Sequence, residues 1–111
     1  KEALLAHLKG LADKYGAAYS QFGEYPAWEY KKESQLRDTM VEVYTNLFGK
    51  APKVIALHAG LECGLLSEKI ENLDCVSIGP QMHDIHTSSE RIEIGSTERT
   101  WKFLLEVLKN L

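Results

Sequence analysis

Two histidines, His83 and His86, stand three apart in GPQMHDIHTSSERI, residues 79–92. An imidazole near neutral pH can ligate a metal or carry a proton, and Asp84 and Glu90 set carboxylates beside this pair. A second concentration of such groups lies in HAGLECG, residues 58–64, with His58, Glu62 and Cys63. Spacing alone makes neither stretch a site, because polar loops commonly carry solvated histidines. Cys63, Cys75, His83 and His86 do not form a structural zinc motif, since their gaps fit neither the paired-cysteine nor the paired-histidine spacing. Both cysteines read instead as small apolar core residues. No hydrolase signature surrounds Cys63, and HAGLECG lacks the lysine and the spacing of a phosphate loop.

The surrounding elements decide whether these groups can meet. Leu4, Leu5, Leu8, Leu11 and Tyr15 recur at helical spacing over residues 2–15, with Gly16 as the stop. The aromatic-rich AYSQF reads as a short strand, and the segment around Pro26, Trp28 and Tyr30 as a connector. A second helix is expected from Ser34, its N-cap, to Phe48. Leu36, Met40, Val43, Tyr44 and Leu47 form its buried face, and Gly49 ends it. KVIAL (53–57) and CVSIG (75–79) are short, apolar runs of the kind buried in parallel sheets, with the amphipathic LECGLLSEKI between them. A last helix is expected from about Thr97 to Lys109, capped by Ser96, with Trp101, Leu104, Leu105 and Leu108 as its apolar stripe.

The order strand, helix, strand predicts a parallel β-α-β unit and an α/β fold class. Ligands of such sheets bind outside the carboxyl ends of the strands. The loops carrying His58 and Glu62, and His83, Asp84, His86 and Glu90, would then open on one edge.

The 111 residues are 44% hydrophobic and 26% charged, with a net charge of -3. That composition is ordinary for a soluble globular chain. The charge and the lack of a basic stripe argue against a nucleic-acid partner, and no apolar run is long enough to span a bilayer. The first residues have no signal-peptide core, and two cysteines are too few for a disulfide framework. A cytoplasmic setting is therefore expected. The chain opens on Lys1, and a helix plus one strand cannot cover its own apolar faces, so an N-terminal remainder of the chain is expected.

EYPAW (24–28), LFGKAPKV (47–54), LHAGLECGLL (57–66), SIGP (77–80), HTSSER (86–91) and the closing WKFLLEVLKNL resemble, over nearly the whole chain, the C-terminal part of aminoacyl-histidine (Xaa-His, carnosinase-like) dipeptidases. These are bacterial cytosolic metallopeptidases with a pair of zinc ions. The resemblance implies a division into the end of a ferredoxin-like lid domain (1–24), a connector (25–33) and the C-terminal part of a catalytic α/β domain (34–111). It implies that His86 is a zinc ligand, with Asp84 or Glu90 as candidate acceptors for its second ring nitrogen, and that His83 falls where the family varies, as a solvated loop residue.

Glu62 and His58 lie in the subfamily motif, either lining the pocket for a dipeptide or serving only to start and pack the next helix. Family members usually carry H-S-P-D-E where this chain has HTSSE, so Thr87, Ser88 and Ser89 depart from the pattern and the turn lacks its proline. The N-terminal ligand motifs and the general-base glutamate are not in this chain. Alone it is therefore expected to be inactive, to bind zinc weakly and to be prone to self-association. A standalone α/β ligand-binding module with incidental histidines, and a cysteine hydrolase using Cys63, are the other readings.

Overall fold

A computed structural model describes residues 1–57 and 61–111 of the chain. The elements in order are α1 (Glu2–Lys14), α2 (Gln35–Phe48), α3 (Glu62–Lys69), β1 (Met82–His83), β2 (Arg91–Ile92) and α4 (Ile94–Lys109).

The second helix begins and ends where its sequence dictates. Ser34 has an extended backbone and its hydroxyl accepts the N–H of Arg37 at 3.1 Å, while Gly49 closes the helix at φ 69°. The left-handed turn suits glycine because no Cβ meets the following carbonyl. Asp74 reinforces the start from far along the chain: its carboxylate accepts the Ser34 hydroxyl at 2.7 Å and the Leu36 N–H at 3.1 Å.

The core lies where α2 crosses α4. Met40 and Val43 meet Phe103 and Val107, with Leu36, Tyr44, Phe48 and Val76 packed around them. Tyr44 sets its ring edge-on to Phe103 at 5.4 Å between centroids, a geometry that adds a little to the burial of both rings. This core is small, and the radius of gyration is 19.0 Å against about 13 Å for a compact chain of this length. The described residues are extended in space, with wide apolar surface left open.

Two expectations about the helices change. The buried stripe of α4 is Ser96, Phe103 and Val107, not Trp101, Leu105 and Leu108, which are exposed. Both stripes are apolar, and α2 covers only one of them; Trp101 keeps 59% of its surface open. The helix also begins three residues ahead of Thr97. Glu93 is its N-cap, and the Ser96 hydroxyl sits inside the first turn, donating to the Glu93 carbonyl at 2.8 Å.

The parallel β-α-β unit does not form among the described residues. Residues 53–57 and 75–79 flank α3 but belong to no ladder, and the sheet present is a two-stranded antiparallel hairpin. AYSQF is likewise outside any strand. The reason is cover: parallel strands persist when both faces are buried, whereas Ile55 is 67% exposed. The two runs instead wall a common cleft of about 1370 Å³ together with Trp28, Tyr44 and Phe103. No helix among the described residues is long and apolar enough to cross a membrane.

Candidate functional site

The residues of the candidate site lie on the hairpin that leads into α4. Its strands pair Met82 with Ile92 and His83 with Arg91, and the Glu93 N–H bonds the Gln81 carbonyl at 2.9 Å. The hairpin base is pinned to the helix by Ser96, whose buried hydroxyl accepts the Gln81 N–H at 2.7 Å. One small polar side chain thus joins the start of the hairpin to the first turn of α4. A buried hydroxyl satisfied on both sides holds such a junction firmly.

Residues 84–90 form the tip, and two of them adopt the left-handed backbone without being glycine: Asp84 at φ 50° and His86 at φ 65°. Each such residue costs about 1–3 kcal/mol and persists only where its surroundings enforce it. The enforcing contacts are local. The Thr87 N–H and hydroxyl both bond the Asp84 carbonyl, at 3.2 and 2.7 Å, and the same hydroxyl accepts the Ser89 N–H at 3.1 Å. Thr87 therefore supplies by hydrogen bonding the turn that proline would supply by ring closure.

Glu90 closes the tip by accepting the His86 main-chain N–H at 2.8 Å, and Arg91 holds the Asp84 carboxylate in an ion pair. These contacts answer where the two candidate acceptors go. Glu90 binds the backbone of His86 and Asp84 binds Arg91. Neither is bonded to the His86 imidazole. His86 is exposed, as is His83 on β1.

Of the other predicted residues, one is described. Glu62 opens α3 and is exposed; the N-cap is Leu61, with no side-chain cap. A carboxylate there is favoured by the helix dipole without being fixed by it. His58 lies outside the described residues. Among the described residues no three His, Cys, Asp or Glu side chains converge as a metal site would require. His86 can thus offer one imidazole but not a ligand set, and no catalytic step through a metal follows from the described residues.

The cysteines are half-buried rather than core residues, and Cys75 lines the cleft beside the 75–79 run. Burial first, and then the neighbouring Cys75, push the Cys63 thiol above its ordinary value. That is the reverse of the activation a cysteine nucleophile needs.

A feature that motif reading missed is the seat of α3. Gly64 is buried, and a Cβ there would come within 2.9 Å of the Pro26 carbonyl oxygen and 3.7 Å of the Trp28 Cβ. The connector therefore rests directly on the α3 backbone. The signal available in the sequence was a glycine inside a helix next to Glu62 and Cys63, a residue helices otherwise avoid.

No protein-family model matches the chain. Its sequence is 35% identical over 111 residues to the cytosol non-specific dipeptidase of Escherichia coli (strain K12), covering all of this chain and 23% of that protein. Its structure superposes on the crystal structure of aminoacylhistidine dipeptidase from Vibrio alginolyticus with a TM-score of 0.81. That match has 29% identity and covers 99% of this chain and 22% of the other. The chain thus spans less than a quarter of the length of these relatives. It is homologous to dipeptidases, which are hydrolases, and the resemblance read from HAGLECG and the hairpin holds along its length.

Proposed function

We propose that this chain is the C-terminal part of a metallo-dipeptidase, a hydrolase of Xaa-His and related dipeptides. The observation that carries the reading is the match of all 111 residues in sequence, and nearly all in structure, to under a quarter of two dipeptidases. Large open apolar surfaces around a small core support it, since they are what a segment of a larger fold would present. The remainder of the parent chain would cover the cleft and give residues 53–57 and 75–79 their neighbours.

Within that reading, residues 1–24 belong to a lid domain, 25–33 connect and 34–111 belong to the catalytic domain. The lack of any buried residue in α1 supports the division. His86 contributes one imidazole to a zinc pair whose other ligands come from the parent chain. When bound, such a pair supplies Lewis acidity and an activated water. The part played by this chain is positional: Ser96 fixes the hairpin on α4, Thr87 shapes its tip, and Glu90 sets the backbone from which His86 projects. Glu62 and His58 are assigned to the substrate pocket, Glu62 for the dipeptide's ammonium group. The setting is cytoplasmic, in keeping with the name of the Escherichia coli relative.

The test is hydrolysis of β-alanyl-histidine and of other dipeptides by the full-length product of the gene, before and after metal removal by a chelator. Chelator-sensitive hydrolysis is expected. A full-length product without dipeptidase activity would overturn the reading.

A further inference from the structure

Cys63 and Ser67 stand one helical turn apart on the same face of α3. The Cys75 Sγ lies 3.5 Å from the Ser67 Oγ on that face, bringing a second sulfur beside the helix from across the turn at residues 70–74. Cys75 is also near enough to the Cys63 thiol to help raise it above its ordinary value. Both residues are half-buried, and Cys75 lines the open cleft. Nothing in the proposed dipeptidase chemistry uses either sulfur.

We propose that Cys63 and Cys75 form a reversible intramolecular disulfide with a low-molecular-weight disulfide as oxidant. One cysteine thiolate attacks a sulfur of the oxidant, giving a mixed disulfide and releasing one thiolate. The other cysteine thiolate then attacks the protein sulfur of the mixed disulfide and releases the second. The cysteine pair loses two electrons and two protons, and the oxidant is reduced to two thiols.

The bond closes residues 63–75 into a ring. That ring contains all of α3 but its first residue, Glu62, and the turn carrying Asp74, the residue that anchors the start of α2. Oxidation would therefore tie α3 and its Glu62 to the segment that leads into the His86 hairpin. Because each step needs a thiolate as nucleophile, closure accelerates as pH rises from 7 to 9.

The test uses the full-length protein and oxidised glutathione, followed by alkylation and tryptic mapping. Cleavage after Lys53, Lys69 and Arg91 puts Cys63 in peptide 54–69 and Cys75 in peptide 70–91. The expected product is the two peptides joined, two hydrogen masses below their sum, and separated again by dithiothreitol. The Cys75→Ser variant should lose the joined species while keeping the dipeptidase activity of the wild type. Separate peptides in the wild type, whether alkylated or carrying glutathione, would overturn the proposal. The peptide map reads the disulfide whether or not the protein hydrolyses dipeptides.

Discussion

Glu90 accepts the main-chain N–H of His86 at 2.8 Å, four residues back along the hairpin tip. The carboxylate fixes the peptide of the proposed ligand, at φ 65°, rather than its ring. That sets Glu90 apart from a partner that would tune the imidazole directly.

Glu90→Ala releases this peptide while leaving the imidazole in place. Losing the support of a proposed metal ligand typically costs about 10–100-fold in metal affinity or activity. The full-length variant should lose activity in that range, with activity partly restored by excess zinc. Unchanged kinetics would show that the clip has no part in the site.

His86→Asn separates the backbone from the ring. Asparagine tolerates the left-handed conformation as histidine does, so the stability of the metal-free protein should stay within about 0.5 kcal/mol of the wild type, as for most surface changes. Dipeptide hydrolysis should nonetheless fall to background. An active His86→Asn enzyme would remove the residue from the proposed ligand set.

Asp74 predicts an acid-dependent loss of stability. The Ser34 hydroxyl first, then the Leu36 N–H and the charges of Lys31 and Arg37, hold its carboxyl below the usual carboxylate value. A group whose folded pKa is depressed contributes stability that is present above its unfolded pKa, about 3.9 for Asp. The contribution disappears as pH falls through the folded value. Asp74→Asn should therefore lower stability at pH 7 by about 1 kcal/mol, as lost caps do, and flatten the dependence below pH 4. Chemical denaturation at several pH values measures both.

Gly64→Ala tests the seat of α3. The added methyl would sit 2.9 Å from a backbone oxygen, that of Pro26, so neither side can yield by rotating a side chain. A destabilisation of about 1–3 kcal/mol is expected from such overpacking. An alanine variant as stable as the wild type would mean that the connector can move off the helix.

The helix α2 was legible because its signals are local: Ser34 bonds the Arg37 N–H and Gly49 takes the left-handed stop. The start of α4 was misread for a nonlocal reason. Ser96 has the chemistry of a cap, yet its hydroxyl is engaged by the Gln81 N–H and the Glu93 carbonyl. KVIAL and CVSIG carry the composition of buried strands, but composition states a need for cover and not its presence. At the candidate site, His86 stood out through family resemblance, whereas its reversed backbone did not, since that conformation is ordinarily announced by glycine. The contact between Gly64 and Pro26 joins residues far apart in sequence and could be found only in three dimensions.

The most direct measurement is a calorimetric titration of zinc into the metal-free full-length protein and into its His86→Asn variant. Tight zinc binding that is weakened in the variant, alongside lost dipeptide hydrolysis, is the predicted result. Identical titrations for the two proteins would contradict the assignment of His86, and with it the part proposed for this hairpin in a dipeptidase.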